Sequence, residues 1–137
     1  MIQYSRNPTK YASEKTGGIR NMLGGTPFGG SPNNLKEISP ADAQAKLETG
    51  EAVLIDVREP VEFVQVRARS AKLVPLGTFG QYLGELPTDQ DILIICQSGN
   101  RSARATMVAM QAGLSRVYNV KGGTSAWVMS RLPTERG

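Results

Sequence analysis

The sequence predicts an α/β fold with a mostly parallel central sheet and helices on both faces. Two observations carry that expectation. The stretches "AVLID" (52–56) and "DILII" (91–95) are nearly unbroken apolar runs of strand length, as expected for strands covered on both faces. Segments with helical punctuation and periodicity lie between such runs, so strand and helix alternate along the chain.

Each element has its local reason. In "ISPADAQAKLETG", Ser39 can cap a helix that carries Pro40 at its first position, and Gly50 fits the left-handed stop. "AVLID" follows as a strand. "EPVEFVQV" suits a short helix with Pro60 near its start, and "AKLVPL" a short strand closed by Pro75 and Gly77. "TFGQYLGEL" is a weak helical turn, and "DILIIC" is the clearest strand. "RSARATMVAMQAG" reads as a helix ended by Gly113, with Ala103, Met107, Met110 and Leu114 as the stripe toward the sheet. "SRVYNV" is a further strand, and "GGTSAWVMSRL" a last helix stopped by Pro133, with Trp127 as core packing.

The 137 residues suit one domain, expected over 35–137. Residues 1–34 hold "TGGIRNMLGGTPFGGSPNN", whose Gly-Gly pairs and prolines predict a flexible, disordered tail. The net charge of +4 is concentrated there, as Arg6, Lys10, Lys15 and Arg20 against Glu14 alone. The remainder is nearly neutral and has no basic stripe with interleaved aromatics, so no nucleic-acid partner is expected. No apolar run reaches the roughly 20 residues of a membrane helix, and no membrane partner is expected. The first thirty residues lack a secretory core, which points to the cytoplasm. Their basic, acid-poor composition leaves an organelle-targeting reading as the alternative.

Two absences narrow the chemistry. With no histidine, Ser-His and Cys-His pairs and histidine metal sites are excluded. With one cysteine, so are internal disulfides, thiolate zinc sites and Cys-x-x-Cys redox pairs. No metal and no cofactor is expected.

The lone cysteine, Cys96, ends the clearest strand and opens the loop "QSGN", after which a helix begins at about Arg101 or Ser102. In open α/β sheets, ligands bind beyond the carboxyl ends of the strands. A short loop with Gly99 can turn successive N–H groups inward, and the helix N-terminus adds its positive end. With the Arg101 guanidinium, these groups favour thiolate over thiol. Such surroundings bring a cysteine pKa from about 8.5 to roughly 3.5–7.5. The alternative is a small buried hydrophobe at a strand end, for which the polar loop and the arginine have no use.

The pieces "ISPADAQAKL", "LIDVREPVEF", "ILIICQSGNRSARA" and "VYNVKGGTSAW" resemble, in order and spacing, the rhodanese family of single-domain thiosulfate sulfurtransferases, from about Leu35 to Leu132. The resemblance implies a rhodanese-like domain with Cys96 as the catalytic residue. It implies a substrate- and persulfide-binding loop of Gln97, Ser98, Gly99, Asn100, Arg101 and Ser102. It implies ping-pong transfer of sulfane sulfur from a small donor such as thiosulfate to cyanide or a thiol, a protein thiol among them. Arg101 would help to bind the donor anion, whereas Arg104 reads as a surface charge. Asp56 and Arg58 could act as a general acid and an anion binder, but the resemblance favours bracing of the loop. Gly122 and Gly123 either let backbone approach the loop closely or merely turn strand into helix. The run "VRARSA" (Val66–Ala71) departs from the family's usual Gly-His-Ile-Pro-Gly-Ala.

Two other classes compete. Cysteine phosphatases and arsenate reductases use a similar cradle with five residues between cysteine and arginine, whereas this chain has four. A non-catalytic rhodanese-like binding or regulatory module would keep the fold without the chemistry, but inactive relatives commonly lose the cysteine.

Overall fold

The structure is a computed structural model and describes residues 34–137. The expected tail over 1–34 falls, but for Asn34, outside the described residues. The elements run β1 (Glu37–Ile38), α1 (Pro40–Glu48), β2 (Ala52–Asp56), α2 (Pro60–Gln65), β3 (Arg67–Ala68), β4 (Ala71–Leu73), α3 (Leu76–Tyr82), a 3-10 turn (Leu83–Glu85), β5 (Asp91–Ile95), α4 (Asn100–Gln111), β6 (Val117–Val120), α5 (Gly123–Met129) and β7 (Thr134–Glu135). Five strands form a parallel sheet in the order β1-β6-β5-β2-β4. The expected class is the observed one.

Alternation along the central strands divides the core. Ile55, Ile92, Ile94, Cys96 and Val117 face one side, where Phe79 of α3 and Ala105 and Ala109 of α4 cover them. Leu54, Leu93, Ile95 and Val120 face the other side, under Ala43 of α1 and Trp127 of α5. With side chains buried on both faces, these strands need no polar alternation. Trp127 is fully buried, and its indole N–H donates to the Pro133 carbonyl at 2.8 Å.

The helix signals act as expected in α1. The Ser39 side chain accepts from the Asp42 N–H at 3.1 Å, Pro40 opens the helix, and Gly50 has φ +80°. Two expectations need correction. The buried stripe of α4 is Ser102, Ala105, Thr106 and Ala109, not Ala103, Met107, Met110 and Leu114. Met110 and Leu114 only pack against its edge. Ser102 and Thr106 can be buried there because both are hydrogen-bonded, Ser102 Oγ to Asn119 Oδ1 and Thr106 Oγ1 to the Ser102 carbonyl at 2.7 Å. The last helix stops at Met129, with Arg131 at φ +59°, several residues before Pro133. The strand β1 and the antiparallel β3–β7 pair are two residues long and carry no local pattern.

The pair β3–β7 accounts for the unusual Val66–Ala71 run. The Arg67 guanidinium lies 4.6 Å from the Phe63 ring centroid, donates to the Gly137 carbonyl at 2.8 Å and pairs with Glu135 at 3.7 Å. The Arg69 N–H donates to the Pro133 carbonyl at 3.0 Å. The Arg67 side chain and the Arg69 backbone thus tie residues 133–137 against α2 and β3. Ser70 has φ +78°, left-handed backbone at a position where the resemblance implies a glycine.

Candidate active site

Cys96 lies just past the carboxyl end of β5, nearly fully buried against α4. Gly99 precedes α4 at φ +111° and brings no side chain to cap the helix, so the free N–H groups of that turn are left for another acceptor. The acceptor is sulfur. The Gly99 N–H donates to Cys96 Sγ at 3.1 Å, and Ser102 Oγ lies 3.2 Å from it. Burial pushes the Cys96 thiol up, but the Ser102 hydroxyl and the N–H groups of Ser102, Gly99 and Ser98 outweigh it and hold the pKa below the ordinary cysteine value.

The first turn of α5 sets the loop's direction. The Thr124 N–H and hydroxyl donate to the Cys96 carbonyl at 2.7 and 3.0 Å, and the Ser125 N–H to the Gln97 carbonyl at 3.1 Å. With these carbonyls turned toward α5, the following N–H groups can point at the sulfur. The approach is so close that a Cβ on Gly123 would lie 2.5 Å from the Gln97 oxygen and 2.6 Å from the Cys96 oxygen. Gly123 therefore permits close backbone approach. Gly122, at φ +74°, makes the turn.

Asp56 and Arg58 form a buried pair at the end of the neighbouring strand. Arg58 Nη2 and Asp56 Oδ2 are 2.9 Å apart, and Nε reaches both carboxylate oxygens. The remaining Arg58 donors go to Gln97 Oε1 at 3.1 Å and the Val66 carbonyl at 2.8 Å. Gln97 in turn donates to Ser125 Oγ at 2.9 Å. Ser98 and Asn100 are exposed at the rim, and Arg104 is exposed on α4.

Arg101 is placed otherwise than expected. Its two terminal nitrogens donate to the two oxygens of Glu62, each at 2.9 Å. Glu62 also accepts the Glu59 N–H at 3.0 Å. The Arg101 hydrogen bond holds the Glu62 carboxyl down at about 2. Glu62 is the largest influence raising Arg101, with the charge of Cys96 a lesser one. The guanidinium therefore belongs first to Glu62, and the direct hydrogen bonds to sulfur come from the hydroxyl and the N–H groups.

Four partners were missed in the sequence: Glu62, Thr124, Ser125 and Asn119, whose Oδ1 accepts from Ser102 Oγ. Asn119 carried a signal, because a polar residue inside the buried strand "VYNV" needs a hydrogen-bond partner. Glu62 sits in the first turn of a short helix, where an acid is ordinary, so nothing local singled it out.

An open parallel sheet with a cysteine set among N–H groups at its carboxyl edge defines an α/β domain built around one buried thiol. Residues 39–130 match the family model described as a rhodanese-like domain, and the chain belongs to that family. It is 35% identical over 101 residues to a thiosulfate sulfurtransferase GlpE of Glaesserella parasuis, covering 74% of this chain and 94% of that one. It is 36% identical over 91 residues to a sulfurtransferase of Allochromatium vinosum, covering 66% and 85%. The crystal structure of a rhodanese-related protein from Thermoplasma volcanium superposes with a TM-score of 0.68 at 27% identity, covering 74% and 99%. No helix among the described residues is long and apolar enough to cross a membrane.

Proposed function

We propose that this protein is a rhodanese-type sulfurtransferase that carries sulfane sulfur as a persulfide on Cys96. The Cys96 thiolate attacks the outer sulfur of thiosulfate or a similar donor. The S–S bond of the donor breaks and sulfite leaves with the electron pair. A thiophilic acceptor, cyanide or a thiol, then attacks the terminal sulfur and releases the thiolate. No proton need be removed by a histidine, since the site favours the thiolate itself.

The observation that carries this reading is the sulfur of Cys96 under the Gly99 N–H and the Ser102 hydroxyl, with its pKa lowered despite burial. The same ring of donors suits the negative terminal sulfur of a persulfide. In this reading Gln97 to Ser102 form the binding loop. Asp56 and Arg58 brace it through Gln97, and Arg101 offers charge to the donor from its place beside Glu62. The four-residue spacing from Cys96 to Arg101 favours sulfur over the larger tetrahedral oxyanions that five-residue cradles hold.

Whole-protein mass spectrometry after incubation with thiosulfate tests it. One added sulfur atom is expected, removable by cyanide or a reducing thiol, and absent in Cys96→Ser. Turnover that persists in Cys96→Ser would overturn the mechanism, because the chain has no second thiol.

A further inference from the structure

The hydroxyl of Ser102 has one proton and two neighbours that can accept it. Cys96 Sγ is 3.2 Å away, and Asn119 Oδ1 is 2.5 Å away. A hydroxyl donates once, so the two compete. The orientation of the Asn119 amide follows from its other contacts. Asn119 Nδ2 lies 3.2 Å from Glu37 Oε2 and 3.3 Å from the Gly99 carbonyl. The carbonyl is only an acceptor, as is an ionised carboxylate, so the amide N–H groups must face them and Oδ1 must face Ser102. The strand register places Asn119 beside Ile94 of β5, on the sheet face that also carries Cys96.

Proton bookkeeping then distinguishes two states. With a thiol at Cys96, the S–H can donate to Ser102 Oγ while the Ser102 proton rests on Asn119, and every group is satisfied. A thiolate has no proton to give. Ser102 must then turn its O–H to the sulfur, which leaves Asn119 Oδ1 without a donor, or keep it on Asn119, which leaves the sulfur to the N–H groups. We infer that Asn119 is a positioning residue that competes with Cys96 for the single proton of Ser102 and so sets how much thiolate the resting site holds. Once Cys96 carries a second sulfur, Sγ is a weaker acceptor and the proton returns to Asn119. The inference rests on Cys96 as the reacting thiol. It is consistent with the Ser102 hydroxyl being the largest influence that lowers the Cys96 pKa.

The other charged groups around the site are Arg101 of α4 with Glu62 of α2, the Arg58–Asp56 pair beyond Gln97, and Glu37 of β1 behind Asn119. Substitutions at Asn119 leave all of them in place. Asn119→Leu is nearly isosteric and removes the competing acceptor. The Gly99 carbonyl keeps its Ala103 N–H at 3.1 Å, and Glu37 is exposed, so no buried group is orphaned. Asn119→Asp instead strengthens the competitor with a charged acceptor.

The test is thiolate absorbance at 240 nm titrated on the full chain, with Cys96→Ser as the blank. Because Cys96 is the only thiol, the signal has one source. The leucine variant should titrate at lower pH than the parent, with alkylation by iodoacetamide about fivefold faster below the midpoint. The aspartate variant should titrate at higher pH. In a Ser102→Ala background, Asn119→Leu should change nothing. A plain charge effect would leave the aspartate shift unchanged in the Ser102→Ala background, and a merely structural role would raise the midpoint of the leucine variant too; either result would overturn the inference. So would an unchanged midpoint in Asn119→Leu. If the leucine variant does not fold, Asn119→Val carries the same expectation and suits a strand better. The titration reads the thiol whether or not sulfur is transferred, so its failure is distinct from a failure of the sulfurtransferase reading.

Discussion

Arg101 and Glu62 are joined by two parallel hydrogen bonds of 2.9 Å across 39 residues of chain. The side chains are 37% and 29% exposed, so the pair sits at the surface and not in the core. It couples the first turn of α2, which follows β2, to the first turn of α4, which follows β5 and Cys96.

That pairing reshapes what removal of Arg101 should do. Arg101→Ala leaves the Glu62 carboxylate bare at the rim, so the KM for the thiosulfate dianion should rise about tenfold. Arg101→Lys should be intermediate, because lysine keeps the charge but cannot make the bidentate pair. Adding Glu62→Gln to Arg101→Ala should recover much of the lost affinity. Equal KM values in the single and double variants would show that Glu62 has no say in donor binding. The Cys96 titration should change little in Arg101→Ala, since the contacts on sulfur are the hydroxyl and the N–H groups.

The same pair predicts a pH signature in stability. Glu62 stands at about 2 in the folded chain against an ordinary 4.5, so the unfolded chain binds its proton first as pH falls. Its stabilising contribution is full above about pH 4.5 and is lost as pH drops toward about 2. Urea unfolding at successive pH values should show Glu62→Gln less stable than the parent at pH 6, with the gap closing across that window. A gap that stays constant down to pH 2 would assign the loss to packing.

Breaking the Asp56–Arg58 pair should be costly. Both residues are at most 1% exposed, and removing either leaves the other charge buried alone. Arg58→Met or Asp56→Asn should each cost about 3–5 kcal/mol in urea denaturation. Replacing both by apolar residues should cost less than the two singles together. Additive losses would argue against a coupled pair.

Glycine positions separate the loop from the scaffold. Gly123→Ala meets backbone oxygens at 2.5–2.6 Å from a φ of +62°, and should cost about 2 kcal/mol or more and slow sulfur transfer. Gly80→Ala lies in α3 with open space around it and should stabilise by about 0.5–1 kcal/mol. Ser70→Gly should relieve the left-handed strain by about 1 kcal/mol without touching turnover. Thermal melts and a thiosulfate:cyanide assay on the three variants check the pattern.

The sequence by itself determined the order of the longer strands and helices, the α1 cap, the position of Cys96 at a strand end and the length of the loop after it. These are local properties. Side-chain alternation, capping hydroxyls, proline at a helix start and glycine at positive φ act over a few residues and read the same in any fold. What only the tertiary structure decided lies between distant segments. Arg101 and Glu62 meet because the α2 and α4 crossovers bring their first turns to the same sheet edge. Arg58 reaches Gln97 because β2 and β5 are neighbours in register, Asp56 beside Ile95. Asn119 reaches Ser102 because β6 lies on the other side of β5. The two-residue strands exist only by pairing, and the buried stripe of α4 was set by which of its side chains find partners at the sheet. A polar side chain in a sequence announces that it needs a partner. Which partner it finds is a matter of which strands are adjacent, and the periodicity of one segment holds no information about the register of another.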